Sequence, residues 1–173
     1  MFDNTKIKMT GTIKDEIYKD GILIDTIVGH NLVVNSFTKL VMGMLKGDIN
    51  SGIKYWAIGS GSADWDSDMP EPEINASRLT NEIGRVAIAS EDITYLLPDG
   101  TESESPTNIL QIKHTFSADD CNGEWREFGI FGGDTATDEL NTGIIIDKKH
   151  HELKAKTSDI VITRTLVFTL TLS

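Results

Sequence analysis

Apolar and polar residues alternate along much of this chain, and the alternation is clearest at residues 160–172. Every second position there is apolar, apart from Arg164, and threonines fill most of the positions between them. A period of two is typical of a β-strand that buries one face. At ~3.3 Å per residue such a strand is about 40 Å long, so we expect it either to span a whole sheet or to reach a neighbouring subunit.

Shorter stretches of similar character predict further strands, and Gly, Pro, Asn and Asp separate them. The predicted strands are residues 6–14, 22–24, 32–34, 55–58, 86–93, 109–116, 125–131 and 143–146. We interpret 19–21 (KDG) as a hairpin turn and 29–31 (GHN) as an interruption. Because 143–146 is wholly apolar after its glycine, we expect it to be buried on both faces or at an interface.

One segment follows a helical period instead. The apolar residues at i, i+3, i+4, i+7 and i+8 are Phe37, Leu40, Val41, Met44 and Leu45. Asn35 or Ser36 suits an N-cap, and Gly47 suits a C-terminal stop. We therefore predict one short amphipathic helix at about residues 36–46 that packs on a sheet, and one further helical turn at residues 77–82.

Together these elements predict a mainly β fold. About seven to nine strands with one helix favour two packed sheets, so the expected fold class is β-sandwich-like. The chain has no internal repeat and no linker, and its length suits one domain with a substantial core. We expect residues 1–173 to form a single β-rich structural domain.

The net charge of −11 and the pI near 4.7 narrow the choice of partners. Phosphate contacts need Lys and Arg, so nucleic acid is not an expected partner. Anionic membrane surfaces are disfavoured for the same reason, and no apolar run approaches the roughly 18 residues of a membrane span. We interpret the charge mainly as a source of solubility, with an acidic docking face as the alternative.

Cys121 is the single cysteine of the chain. No intrachain disulfide can form, which favours folding in a reducing cytoplasm. The neighbouring Asp119, Asp120 and Glu124 would raise the pKa of the thiol. We therefore expect an unreactive cysteine in a turn.

Three short patterns resemble known binding or catalytic motifs, but each pattern lacks some of the residues that its motif requires. Residues 64–68 alternate Asp like the start of an EF-hand calcium loop, but Met69 and Asn75 stand where that loop needs Gly and Glu; weak calcium binding stays open. The cluster 150–152 (HHE) lacks the spacing of a zinc protease motif, and 59–61 (GSG) lacks the rest of a phosphate loop. We expect no metal, no cofactor and no catalytic residue.

Two parts of the sequence combine apolar residues, glycine and paired charges. The first consists of residues 56–62 and 78–85, and the second of residues 124–133. Together with the last strand they supply the candidate structural or interface residues, which are Trp56, Glu82, Arg85, Trp125, Arg126, Glu127, Phe128, Phe131 and Arg164. If the apolar face of the last strand is buried, Arg164 needs a carboxylate partner, and we expect Glu127 or Glu82. Such a pair would fix register inside the subunit, and the alternative is an ion pair between subunits.

The order of motifs along the chain is itself informative. The motifs are GHNLVVN at 29–35, IGSG at 58–61, Pro70 and Pro72, LTNEIGR at 79–85, and REFGIF at 126–131. This order resembles the N-terminal attachment region of bacteriophage tail-collar and tail-fibre proteins, and of related prophage baseplate proteins. The resemblance covers about residues 29–133.

The resemblance implies a non-enzymatic structural subunit of a virion or phage-like particle, made in the bacterial cytoplasm. The implied partners are copies of itself, as a trimer or ring, and other tail or baseplate proteins. Family fibres continue into a shaft and a receptor-binding tip that these residues do not include. We therefore expect a collar, baseplate or fibre-attachment adaptor.

Other functions stay open at this point. A carbohydrate-binding β-sandwich would use exposed Trp65, Tyr95 and Trp125 to stack on sugar rings, with calcium held by the acidic loop. A capsid decoration protein is a further alternative within particle assembly. A hydrolase has the least support, because the sequence shows no catalytic constellation.

Overall fold

The structure is a computed structural model that describes residues 6–172, and this range contains ten β-strands and one α-helix. The strands are β1 (Ile7–Lys19), β2 (Ile22–Val33), β3 (Ile53–Gly59), β4 (Glu82–Ala87), β5 (Ile93–Leu96), β6 (Glu102–Ser103), β7 (Ile109–Phe116), β8 (Gly123–Gly132), β9 (Ile144–Lys156) and β10 (Ile160–Leu172), and the helix α1 (Ser36–Lys46) follows β2. The protein is mainly β, as the sequence predicts, with more strands than the seven to nine expected.

The strands form one hydrogen-bonded succession in the order β4-β3-β8-β9-β2-β1-β10-β7-β5-β6. All neighbours are antiparallel. The link between β2 and β9 is only two residue pairs long, Leu32 with Lys148 and Val33 with Asp147. It joins a first sheet, which contains β2, β1, β10, β7, β5 and β6, to a second sheet, which contains β4, β3, β8 and β9.

The main core lies between these two sheets, which confirms the sandwich-like architecture. Its buried strand residues are Ile13, Ile112, Phe116, Ile162, Leu166 and Phe168 from the first sheet and Trp56, Ile58, Trp125, Phe128, Ile130 and Ile146 from the second. The alternation predicted for β7 and β10 is confirmed, because their inward positions supply five of these side chains. Burial of each large apolar side chain contributes roughly 1.5–3 kcal/mol relative to an exposed position.

A smaller core lies on the other face of the second sheet. Ala57, Phe131 and Ile145 pack there with Leu79 and Val34. Leu79 belongs to the segment between β3 and β4, so this segment covers the second sheet. The start of β9 is therefore buried on both faces, as its apolar run predicts.

The turn and the helix form where the sequence places them. Asp20 and Gly21 have φ of 51° and 76° and connect β1 to β2 in a two-residue turn. Helix α1 has the predicted bounds, and Gly47 ends it with a φ of 83° that glycine adopts without strain. Asn35 holds the N-cap position without a side-chain hydrogen bond, and Leu40 is the only buried helix residue.

Several predicted boundaries are wrong. Strand β2 continues through 29–31 because these residues pair with residues 11–13 of β1. Residues 77–82 form no helical turn, and β4 starts at Glu82. The predicted strand at 86–93 is divided by a short 3-10 turn at Ser90–Asp92.

Strand β9 is much longer than its apolar part predicts, since it continues through charged residues to Lys156. Two of its lysines are buried with partners that offset the cost of burial. Lys156 Nζ donates to the Ser117 carbonyl (2.6 Å) and to Asn122 Oδ1 (2.9 Å), and Lys148 pairs with Glu127. A hydropathy pattern alone does not reveal such strands.

Within residues 6–172, no helix has the length and apolarity needed to cross a bilayer.

Candidate functional site

Glu127, on β8, connects the two segments that stand out in the sequence. Its buried carboxylate accepts hydrogen bonds from the backbone N–H groups of Thr80 (3.0 Å) and Asn81 (2.8 Å). The ammonium of Lys148 lies 3.0 Å from the same carboxylate. One charged side chain therefore fixes the segment before β4 to the second sheet.

Gly59 leaves the space that Glu127 occupies. A Cβ atom at position 59 would lie 2.6 Å from both Cγ and Oε1 of Glu127, and 2.8 Å from the carbonyl oxygen of Asn81. Normal contacts between such atoms are about 3.5–4.0 Å. The glycine at the end of β3 is thus required for the close packing around the carboxylate.

Glu82 and Arg85 form a second joint on β4. Arg85 Nε donates to Glu82 Oε1 at 2.6 Å, and Nη2 donates to Oε2 at 3.0 Å. Nη1 donates to the carbonyl oxygens of Thr137 and Thr142, and the Asn141 N–H donates to Glu82. This pair therefore holds the loop between β8 and β9 against β4.

Arg126 forms a third joint. Its guanidinium donates to both carboxylate oxygens of Asp66 at 3.1 Å and to Glu124 at 2.6 Å. Asp66 ends the short 3-10 turn Ala63–Asp66 in the acidic loop. The central carboxylate of the candidate calcium loop is thus bound to an arginine.

Arg164, on β10, is fully buried between the sheets. Its Nε and Nη2 donate to the two carboxylate oxygens of Asp15 at 2.7 and 2.8 Å, and Lys154 Nζ donates to the same carboxylate at 2.6 Å. The predicted partner, Glu127 or Glu82, is wrong. Asp15 faces Arg164 directly in the β1–β10 ladder, whereas the two glutamates belong to the joints described above.

Aromatic rings surround the Arg164 guanidinium. Its Cζ lies 4.1 Å from the ring centroid of Phe128 and 5.5–5.9 Å from those of Trp125, Trp56 and Phe116. Such positions give favourable cation–π contacts. Because Phe128, Trp125 and Trp56 belong to the second sheet, this arginine links the two sheets.

Burial and the charges of this cluster shift the pKa values of Asp15 and of His151 on β9. Burial acts to raise the pKa of Asp15, but Arg164 and Lys154 outweigh it and hold that pKa below its usual range. Burial, and then the positive charges of Arg164 and Lys154, lower the pKa of His151 to about 3. Asp15 is therefore ionised and His151 neutral at neutral pH.

The side chains of the nine candidate residues named from the sequence are buried, and the contacts described above lie within this chain. Eight of them are at most 6% exposed as whole residues. Arg85 is half-buried, but its side chain is 2% exposed. This distribution favours internal joints over contacts between subunits. A surface for a neighbouring chain must therefore come from other residues.

Potentially reactive groups are also held in internal contacts. Burial, and then the charge of Asp120, raise the pKa of the Cys121 thiol to about 11, in the expected direction. His150 Nδ1 lies 2.6 Å from the Pro70 carbonyl, and its ring centroid lies 4.1 Å from that of Trp65. No three His, Cys, Asp or Glu side chains of residues 6–172 converge in a metal-binding arrangement.

The aromatic residues expected to bind sugars do not form a common surface. Trp125 is fully buried, so the expectation that it is exposed is wrong. Trp65 packs on His150 of β9, whereas Tyr95 lies on β5 in the other sheet.

Asp147 lies at the short link between β2 and β9. Its buried carboxylate accepts hydrogen bonds from the Ile130 N–H (2.8 Å) and from the Asn31 side-chain amide. Burial raises its pKa to about 7 in spite of these bonds. Oδ1 of Asn31 is buried without a hydrogen-bond partner, and rotation of that amide would let a protonated Asp147 supply the missing donor.

Beyond this link, the β2 side of the β1–β2 hairpin is exposed, whereas β1 pairs with β10 along its whole length. Only β1 borders β2 over residues 22–28, so the other edge of β2 carries unpaired backbone groups there in the described chain. The apolar side chains that are 37–71% exposed here are Ile22, Leu23, Ile24, Ile27 and Val28. We call residues 20–28 the hairpin arm. Soluble monomers usually shield a long, exposed, apolar edge of this kind.

A second apolar surface lies at the other end of β1. A groove of about 430 Å³ lies between α1 and the ends of β1 and β10, and we call it the end groove. Its chief apolar lining residues are Ile7, Met9, Phe37, Val41, Met42 and Leu170. The helix stripe predicted to pack on a sheet is thus only partly covered, since Met44 and Leu45 are also exposed.

Comparisons with protein-family models, with curated protein sequences and with solved structures found no match to this chain.

Proposed function

We propose that this protein is a non-enzymatic structural subunit of a phage tail or phage-tail-like particle. It acts by docking to copies of itself and to other tail or baseplate proteins, as a collar, baseplate or fibre-attachment adaptor. In this role it is made in the bacterial cytoplasm and becomes part of the particle. The role needs no cofactor, nucleic acid or membrane.

The hairpin arm is the observation that carries this proposal. Its apolar side chains and unpaired strand edge favour aggregation in a free monomer, whereas a neighbouring subunit would cover them. Strand addition at an open edge supplies directional backbone hydrogen bonds, and the alternating side chains select the partner. These are the properties that assembly of a particle requires.

The positions of the buried charged side chains support the same structural function. A catalytic site brings acid, base or nucleophilic groups together in an accessible cleft. Here Glu127, Arg85 and Arg164 lie in three separate joints and are bonded to neighbouring segments. Their arrangement favours a rigid scaffold.

The packing of the motifs adds support for a tail protein. The motifs at 58–61, 79–85 and 126–131 contact one another through Gly59 and Glu127. Their order along the chain therefore corresponds to one packed unit. A shared attachment domain would require such a unit.

Three measurements test the proposal together. Light scattering should give a mass that rises with concentration to a discrete oligomer, and the protein should co-sediment with native tail particles. Antibody labelling in electron micrographs should mark the tail, collar or baseplate. A protein that stays monomeric and neither co-sediments with nor labels such particles would contradict the proposal.

A further inference from the structure

We propose that the hairpin arm of one copy docks in the end groove of the next copy, so that this protein self-associates head to tail. The inference rests on the proposed function, because it names the two surfaces through which subunits meet. Its partner is a second copy of this chain.

The two surfaces lie at opposite ends of the molecule. The end groove includes Ile7 and Met9 at the start of β1, and the arm begins just after Lys19 at its other end. Thirteen strand residues at ~3.3 Å each separate them by about 40 Å. A copy therefore cannot place its own arm in its own groove, but it can offer the arm to a neighbour.

The chemistry of the two surfaces matches. The arm carries exposed Ile22, Leu23 and Ile24 at the outer edge of the first sheet, where β1 separates it from β10. The groove is apolar and includes Met42, whose flexible side chain adapts to a partner's shape. Docking would remove both apolar surfaces from water through a single kind of contact.

The charges match as well. Lys8 is the one charged residue that lines the groove among residues 6–172, and Lys39 follows the groove residue Thr38 on α1. The described charges at the groove are thus positive in a chain whose net charge is −11. Asp20 and Asp25 flank the apolar residues 22–24 of the arm, so the docked charges would be opposite in sign.

A two-fold arrangement fits these observations less well. Pairing of β2 with β2 of a second copy would cover both arms but leave both end grooves exposed. It would also place the two Asp25 side chains in the same interface. Contact between two different surfaces instead repeats from copy to copy, and it closes into a ring when the rotation allows.

The main experiment uses one substitution on each surface and a matched control. Ile24→Lys alters the arm, Met42→Lys alters the groove, and Leu140→Lys alters an exposed leucine outside both surfaces. Sedimentation analysis should show self-association weakened at least about tenfold by each of the first two changes. The Leu140→Lys variant should associate like the wild type.

Mixing the two defective variants then separates the possible arrangements. The arm of Met42→Lys and the groove of Ile24→Lys are both intact, so an equimolar mixture should form a one-to-one dimer and nothing larger. In a two-fold β2–β2 dimer, Met42→Lys would associate normally and mixing would restore nothing. That result would overturn the head-to-tail arrangement.

An exchange of charges gives a second, milder test. Lys8→Glu and Asp25→Lys should each weaken association, and a chain that carries both changes should recover it. Circular dichroism and thermal unfolding verify that every variant folds. A Met42→Lys variant that assembles normally but unfolds more easily would place a segment of the same chain in the groove, which would also overturn the proposal.

Failure of this docking mode is distinguishable from failure of the proposed function. If the wild type, Ile24→Lys and Met42→Lys assemble equally, the two surfaces named here are wrong. A structural role in a particle would still stand. A wild type that stays monomeric contradicts the docking mode. Only if it also fails to co-sediment with tail particles is the proposed function contradicted.

Discussion

The body of the sandwich and the hairpin arm contain the same kinds of side chain in opposite environments. Ile130 and Ile162 are fully buried in the body, whereas Ile22 and Ile24 are more than half exposed on the arm. The strands of these two body residues, β8 and β10, have neighbours on both edges and a second layer over their inner faces, while β2 in the arm has β1 alone. The same residue types are thus buried or exposed according to how many strands and layers surround them.

The charged residues differ in the same way. Asp15 and Arg164 are paired in the core, where loss of one partner leaves an uncompensated charge. Lys19 and Asp159, beside the arm, are about half exposed and 3.1 Å apart. Water and salt screen exposed pairs of this kind, so they contribute little to stability. The body and the arm should therefore respond very differently to substitution.

The largest effect should follow from Asp15→Asn in the body. It leaves the buried Arg164 without its carboxylate, which should lower the free energy of unfolding by about 3–5 kcal/mol. Urea unfolding measures this change. Asp159→Asn removes the carboxylate of the exposed, solvent-screened pair and is the matched control, which should unfold at nearly the same urea concentration as the wild type.

Asp147→Asn, at the link between body and arm, should act through pH. Asp147 keeps its proton up to about pH 7 when folded and loses it near 3.8 when unfolded. Between these values the unfolded state binds fewer protons, so the free energy of unfolding of the wild type falls as pH rises. The variant does not titrate at this position, and its stability relative to the wild type should rise by about 3 kcal/mol from about pH 4.5 to about pH 7.5.

This comparison removes the contributions of other groups. His151 works in the opposite direction, because its folded pKa of about 3 makes stability rise with pH up to its usual pKa of 6.5. It titrates in both proteins and cancels in the difference. A difference between variant and wild type that does not depend on pH would show that Asp147 is ionised throughout this range.

Glu127→Gln should affect one layer of the body. The change leaves Lys148 without its counter-charge and weakens the bonds to the Thr80 and Asn81 N–H groups, at a cost of about 2 kcal/mol. Hydrogen exchange should become faster at these two amides before the rest of the sheet responds. Glu124→Gln, at an exposed carboxylate bound to Arg126, is the control and should leave their exchange unchanged.

Substitution in the arm should have the smallest effect on stability. Ile24→Thr keeps a β-branched residue and alters a side chain that is already exposed, so the free energy of unfolding should change by about 0.5 kcal/mol or less. The matched change in the body, Ile130→Thr, places a hydroxyl in the core and should cost several times more. Equal losses from these two changes would contradict the difference between body and arm.

The alternation of residues predicted the inward faces of β7 and β10 because burial on one face repeats every second residue. It did not reveal most of β9, since buried lysines replace apolar residues there. Asp15 was missed as the partner of Arg164, although it shares the parity of Ile13 and Ile17. A charged residue on an otherwise apolar strand face could have identified Asp15 as a residue that needs a buried partner. It could not have shown that the partner lies on β10.

The sequence by itself determined where the helix begins and ends and which positions of β7 and β10 face inward, because these depend on local backbone preference and periodicity. Only the tertiary structure decided that Asp15 neutralises Arg164, that Glu127 joins two distant motifs, and that an apolar hairpin stays uncovered. Those outcomes depend on which strands lie side by side. That choice rests on contacts between residues far apart in the chain, which no local pattern contains.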